Sequence, residues 1–487
     1  MRKMFHIQYK LGCQPIEKVQ IPTNSRDELP PAMAALQYIY MTPELNQKVH
    51  NIIQPKISRG KKQTGREGMS GWEVLVLASV RMVLNTNYDQ LLTQANYNRL
   101  VRSIMGIEGS FGQPVKTYGL QTIKDNVSLL DEEDINKVNE LVVSVGHQFV
   151  LKKNEPLRIK SDTYVLETNV HFPTDLNLLW DSSRKIFDVM EYCIENYMLQ
   201  GWRKLGNWHC RLKSSQRACG KACASTSKYK EEAIKSQVTE YLRQATAVVE
   251  KSKESAAQLI RETPLDFKLV GLLYSLEYYQ EMAIKHIDLI DRRLLKGEKI
   301  PQQEKVYSIF EPHTEWISKG KINKRVELGL KVLVSTDQYH FIVDHKVIQG
   351  QADSYLTVEL ADRLMRKFNN IYSLSMDKGF YSKENKDLLS LAIPKVILPK
   401  KGKKNKAEQE EESTKEFKGL RHSHSAVEAN INQLEHNGLD RCPDKGLHGF
   451  KRYTALGILS YNLHRLGTIL IKQYKEQEKQ LAEKKAA

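Results

Sequence analysis

From residue 325 to residue 398 short β-rich runs alternate with helical stretches, and this alternation limits the possible folds more than any other feature of the chain. Two strand-like runs, 325 to 335 and 339 to 348, flank Thr336-Asp337-Gln338, which is a hairpin signal. Then come a helical stretch at 354 to 368, an apolar run at 371 to 376, a helix at 382 to 392 and a short strand at 395 to 398. Strands linked through helices run the same way, so the pattern predicts an α/β layer with partly parallel pairing. An earlier segment, 157 to 166, alternates and is rich in strand formers, and it reads as a further strand. Between the two lies a long helical block, about 176 to 298, rich in charge and poor in Gly and Pro, which reads as an insertion.

The flanks are helical. From 71 to 84 apolar residues recur with helical period and stop at Asn-Thr-Asn, and further helices are predicted at 88 to 104, 117 to 129 and 132 to 149. This module carries Arg81, Arg99, Arg102, Lys116 and Lys124. Two readings fit it: a DNA-binding domain with one helix in a major groove, or a plain bundle whose charges are solvated. Residues 399 to 419 lack apolar periodicity and read as a mobile loop. Its Lys400, Lys401, Lys403 and Lys404 could meet a DNA backbone or simply be solvated. Helices are predicted again at 425 to 437 and 452 to 483, the last apolar only to residue 470. The expected domains are therefore 1–150, a core split into 151–175 and 301–470 around the insertion 176–300, and a charged tail at 471–487.

Lys and Arg number 74 against 58 Asp and Glu, a net charge of +16, which favours a polyanionic partner such as nucleic acid through counterion release. No apolar run approaches the roughly 18 residues that span a bilayer, and the first residues lack a signal-peptide core, so a cytoplasmic protein with no membrane partner is expected. Six irregularly spaced Cys read as reduced thiols. His209, Cys210, Cys219 and Cys223 are the one cluster that could wrap zinc, but the paired short spacings of such sites are missing.

Three carboxylates stand out. Asp377 closes an apolar strand just before Lys378-Gly-Phe-Tyr381 and a new helix, and strand ends of this kind collect ligand and catalytic groups in α/β sheets. Asp162 lies inside the first strand, where strict alternation would place it with Arg158 and Lys160 as an ordinary exposed residue. Glu428 borders the helical core stripe Val427, Ile431, Leu434, from which it could reach a strand end; Ser425-Ala-Val-Glu428 also fits a capping box. Phosphodiester cleavage explains why such residues would gather, because two divalent ions about 4 Å apart activate the nucleophile and stabilise the leaving oxygen.

The segment Ser161-Asp-Thr-Tyr-Val-Leu-Glu-Thr-Asn-Val-His-Phe-Pro-Thr-Asp175 resembles the first-Asp segment of the DDE transposases of bacterial insertion sequences. Met376-Asp-Lys-Gly-Phe-Tyr381 resembles their second-Asp turn, and Ala426-Val-Glu-Ala-Asn-Ile-Asn-Gln-Leu-Glu435 with Tyr461-Asn-Leu-His-Arg-Leu466 resembles their Glu helix and C-terminal helix. Residues 66 to 107 are similar to the helical domain of the ISNCY group of these enzymes. The resemblance implies an RNase H-like mixed sheet with a helical insertion, behind an all-helical N-terminal DNA-binding domain. It implies that Asp162, Asp377 and Glu428 hold Mg²⁺ or Mn²⁺, two ions per site, and that the chain acts as a homodimer on transposon ends and target DNA. Many relatives carry Arg four residues before the Glu and Lys seven after it, where this chain has His424 and Glu435. Arg421 and His424 are the expected substitutes for the phosphate contact, and Glu435 is a rival third acid. A transposase-derived protein that binds DNA without catalysis is the alternative function.

Overall fold

The computed structural model describes residues 13–58, 68–109, 116–264, 266–318, 326–400 and 402–486, except the side chains of 58, 485 and 486. Helices α1 (Leu29–Met41), α2 (Pro43–Ser58), α3 (Gly71–Val83), α4 (Tyr88–Tyr97), α5 (Arg99–Ile104), α6 (Leu120–Val127) and α7 (Glu132–Val150) precede strand β1 (Leu157–Thr168). Helices α8 (Asp175–Tyr197), α9 (Leu205–Ala224), α10 (Lys230–Glu262) and α11 (Phe267–Ile290) follow. Next come β2 (Glu315–Ser318), β3 (Val326–Thr336), β4 (Ile342–Ile348), α12 (Asp353–Lys367), β5 (Ile371–Met376), α13 (Lys383–Ala392) and β6 (Lys395–Ile397). The chain ends with α14 (Lys406–Ser413), α15 (Lys415–His422), α16 (Ser425–Leu434), β7 (Arg441–Cys442) and α17 (Gly446–Ala486). It divides into two compact units, residues 1–169 with 317–487, and residues 170–316. No helix among the described residues is long and apolar enough to cross a membrane.

The first unit is mixed α/β. Its central strand, β1, runs antiparallel to β3 from Lys160↔Thr336 to Glu167↔Gly329 and parallel to β5 from Leu157↔Ile371 to Ser161↔Met376. The open sheet has the order β2-β3-β1-β5-β6, with β4 on β3 and β7 at the far end of β1. The expected hairpin is present. Its turn is set by Asp337, fully buried, whose Oδ1 accepts the Tyr339 and Phe341 N–H groups at 2.7 and 2.9 Å while Oδ2 lies 2.6 Å from Nε2 of His147 on α7. β1 departs from strict alternation: Lys160, Ser161, Val165 and Leu166 are all buried. Helices cover both of its faces, and a strand so placed is apolar or satisfied on both sides.

The helical flanks share a core with the sheet. α3 begins on a capping box between Ser70 and Glu73, and all 13 of its residues are buried. A helix apolar on every side belongs inside a core; α1, α2, α4, α5, α6 and α17 surround α3. The predicted helix at 88 to 104 is two, because the Asn98 side chain accepts the Val101 N–H and starts α5 afresh. The stretch 399 to 419, expected as a loop, carries α14 and α15. Asn405 and Glu408 form a capping box and Thr414 caps Phe417, so end-capping takes the place of the missing apolar stripe.

The second unit is helical. α8, α10 and α11 bury Leu179, Ile186, Met190, Tyr241, Val248 and Ala283 in their own core, and the Tyr241 hydroxyl donates to the Leu176 carbonyl at 3.1 Å.

Gly329 shows how tightly β1 and β3 approach: a Cβ there would lie 2.0 Å from the Leu166 carbonyl oxygen. Gly329→Ala is therefore expected to destabilise the first unit by about 2 kcal/mol, by forcing two central strands apart. Urea unfolding measures it, and an unchanged midpoint would show that this approach is not required.

Candidate active site

The β1–β5 register builds the site. Ser161 is opposite Met376 in parallel pairing, the last pair of that ladder, so Asp162 and Asp377 each follow directly on a paired position, and the charge of Asp377 reaches Asp162. β5 ends there because Asp377 opens a 3₁₀ turn, Lys378–Phe380. The Phe380 carbonyl anchors that turn by accepting from Thr357 Oγ1 at 3.1 Å and Asn385 Nδ2 at 3.2 Å. Helix α16 brings the third acid. Val427, Ile431 and Leu434 are buried and α16 packs against β1 and β3, which leaves Glu428 exposed on the neighbouring stripe. The capping-box use of Glu428 does not occur, since Ser425 lies inside the helix and its hydroxyl donates to the His422 carbonyl at 3.0 Å.

Asp377 and Glu428 line one crevice of about 450 Å³. Asp162 responds to both: burial, then the charges of Asp377, Glu428 and Asp353, push its carboxyl up to about 6, against an opposing hydrogen bond from the Thr163 N–H. The charge of Glu435, the rival third acid, falls instead on the buried phenol of Tyr164. Lys418, Arg421 and His422 from α15 and His424 at the start of α16 line the same crevice. His424 Nδ1 is 3.2 Å from Ser375 Oγ, and its Nε2 is buried without a hydrogen-bond partner. Burial pushes the His424 imidazole pKa down despite Asp377 and Glu428, so at neutral pH it is uncharged. Lys160, buried on the face of β1 that carries Asp162, is lowered by burial as well.

Four of these groups had not been singled out from sequence: Lys418, His422, Asp353 and Lys160. Lys418, Arg421 and His422 have the i, i+3, i+4 spacing of one helical face, a signal hidden by reading their segment as a loop. Asp353 opens α12; its Oδ1 receives Lys331 Nζ at 2.9 Å and its Oδ2 lies 3.5 Å from Thr163 Oγ1.

The other residues singled out lie elsewhere. Arg81 and Arg102, expected at a DNA surface, are buried. Arg81 pairs with Asp444 at 2.6 Å, and Arg102 pairs with Glu108 at 2.8 Å and donates to main-chain carbonyls. They are interior cations of the helical core because their helices are enclosed. Lys116 pairs with Glu73, Arg99 is exposed, and Lys124 is half-buried near the Tyr88 ring. Lys400 and Lys404 pair with Glu408 and Glu412, Lys403 is exposed, and Lys401 lies outside the described residues. In the second unit, His209 packs on Trp180 and Phe187, Cys210 is exposed, and buried Cys219 donates to the Gln237 carbonyl with its thiol pushed up to about 12 by burial. Among the described residues no group of three or more His, Cys, Asp or Glu is placed closely enough to hold an ion, and this includes both this cluster and the carboxylate crevice. Comparison with protein-family models, curated proteins and solved structures finds no match to the chain.

Proposed function

We propose that the chain is a DDE-type transposase, an enzyme that cleaves and rejoins DNA strands with Asp162, Asp377 and Glu428 on an RNase H-like sheet. What supports this reading is the pairing of Ser161 with Met376, the residues just before Asp162 and Asp377, together with a crevice lined by Asp377 and Glu428, whose charges both reach Asp162. The donor set suits a hard divalent cation, Mg²⁺ or Mn²⁺, because carboxylate oxygens are its preferred ligands. It also suits one electrostatically, since the charges of Asp377 and Glu428 raise the proton affinity of Asp162, and a nearby positive charge relieves that. Bound ions would supply nucleophile activation and leaving-group stabilisation.

The chain's own residues do the rest. Lys418, Arg421 and His422 line the crevice together with Asp377 and Glu428 and would hold a DNA phosphate there. His424 also lines that space, and its buried Nε2, which has no hydrogen-bond partner, could accept or donate a single hydrogen bond. End recognition by the helices of residues 1–150, action as a homodimer, and cytoplasmic location belong to the same proposal, with Arg99 the exposed basic residue of that region named above.

A second reading is favoured by one observation: as placed, the three acids do not converge on an ion. Under it the chain binds DNA, for example as a repressor, without cutting it. One assay separates the two. Full-length protein is incubated with Mn²⁺ and end-labelled duplexes carrying the DNA that flanks its reading frame. Metal-dependent nicks are the expected result; a retarded complex with no nicks supports the second reading, and neither outcome would sink both.

A further inference from the structure

Helix α14 is attached to the first unit in an unusual way. Its eight residues, Lys-Ala-Glu-Gln-Glu-Glu-Glu-Ser, include no buried side chain. Instead its acids meet four cations drawn from three neighbouring segments. Glu411 pairs with Lys386 of α13 at 2.5 Å, Glu408 with Lys400 at 2.8 Å, and Glu412 with Lys404 at 2.5 Å and with Arg421 of α15 at 3.9 Å. Arg421 also lines the carboxylate crevice, so the cationic surface beneath α14 runs into that site.

These pairs are partly exposed, the glutamate side chains 9 to 47% and the cations 20 to 47%, and ion pairs near a surface contribute little each and weaken with salt. A helix held by them, with no apolar anchor, can leave at small cost if another anion takes its place. A row of phosphates is such an anion, because each one neutralised releases counterions.

We propose that α14 is an acidic cover over a phosphate-binding surface formed by Lys386, Lys400, Lys404 and Arg421, and that double-stranded DNA displaces it. The proposal rests on the transposase reading, since it is the crevice beside Arg421 that makes a DNA backbone the occupant. It assigns the glutamates of α14 a role as stand-ins for phosphate in the DNA-free protein. Lys400 and Lys404 are then neither a solvated linker nor freely offered DNA contacts, but contacts masked until DNA arrives.

The test uses the full chain and a fluorescent duplex of about 20 base pairs, a span ample for several phosphate contacts, with anisotropy read at low and moderate salt. The cover variant is Glu408→Gln/Glu411→Gln/Glu412→Gln. Gln keeps the capping box with Asn405 and can still accept the Lys400 N–H that Glu412 receives, so the melting temperature should stay close to that of the unaltered protein. Glu476→Gln/Glu478→Gln/Glu483→Gln, on the exposed end of α17, controls for net charge. The cover variant is expected to bind about tenfold tighter than this control at low salt, with a log–log salt slope steeper by about two. Adding Lys386→Gln, Lys400→Gln and Lys404→Gln should erase the gain. Deuterium uptake across 406–413 should rise when DNA is added.

Equal affinity of cover variant and control overturns the proposal, as does a gain that survives loss of the three lysines. A larger gain for duplex RNA than for DNA overturns the choice of partner. If the unaltered protein nicks DNA but the cover variant gains nothing, the cover is wrong and the transposase reading stands. If the gain is present and no variant nicks DNA, the cover stands and catalysis falls.

Discussion

In the full chain with Mn²⁺, Asp162→Asn is expected to lower DNA strand cleavage on the order of a thousandfold or more, because an acid acting as one member of a unit disables the whole unit. The same change should make the metal-free protein more stable at neutral pH. Asp162 sits half-buried in the central strand, and its carboxyl titrates at about 6 in the folded chain against an ordinary 3.8, first through burial and then through Asp377, Glu428 and Asp353. A raised folded pKa contributes stability that is whole below the ordinary value and is lost as pH climbs through the folded one. Above pH 6 the fold therefore holds an ionised carboxylate in a crowded, dry place. The interval from 3.8 to about 6 corresponds to at most about 3 kcal/mol. Asparagine removes the charge at nearly constant shape, so the urea midpoints of variant and unaltered protein in chelator should separate above about pH 6 and converge below about pH 4. Gain in stability with loss of activity is the behaviour of a group kept for its chemistry. Coincident midpoints at pH 7.5 would remove the crowding of acids around Asp162, and cleavage preserved to within about tenfold would remove its catalytic role.

The parts of this site that could be read from sequence are those with local causes. The run 371 to 376 is apolar and bounded, and it forms β5 with those limits; the stripe Val427, Ile431, Leu434 is buried as its spacing predicts. Each depends on neighbours within about two turns or a single strand. What stayed hidden depends on distant chain. Asp162 reads as an exposed strand residue because alternation assumes one wet face, and nothing local says that helices cover both sides of β1. Asp353 enters only through its position beside Thr163, 190 residues earlier. The helices α14 and α15 are a different case, because their caps, Asn405 with Glu408 and Thr414, are local signals that a reading by apolar periodicity passes over. Arg81 was legible too in one respect: it stands in a stretch apolar all round, and a charge in an enclosed helix must have a partner.

That partner makes Arg81→Met the sharper test of the helical core. Arg81 and Asp444 are 2% and 6% exposed, joined at 2.6 Å, and 363 residues apart in the chain. The guanidinium also lies 4.2 Å from the centre of the Tyr88 ring and donates to the Tyr88 hydroxyl at 3.2 Å. Methionine fills the space of the stem but leaves Asp444 to Arg452 alone, 3.0 Å away. Breaking one side of a buried pair costs about 3 to 5 kcal/mol, and the remaining guanidinium places this case near the lower end. Asp444→Asn in the Arg81→Met background should cost less than the sum of the two single changes, since the acid is then no longer stranded. The pH dependence has a fixed sign. Burial works to raise the Asp444 carboxyl, yet Arg81 and Arg452 hold it below its ordinary 3.8. A depressed carboxylate contributes stability above its ordinary value and loses it as pH falls through the folded one. The penalty of Arg81→Met should therefore be full at neutral pH and shrink in acid. DNA affinity measured on folded protein should not change, because a guanidinium enclosed between α3 and the start of α17 touches no phosphate. A variant that melts with the unaltered protein while binding DNA several-fold more weakly would put Arg81 at the surface, and α3 could not then be the enclosed helix around which the N-terminal helices and α17 pack.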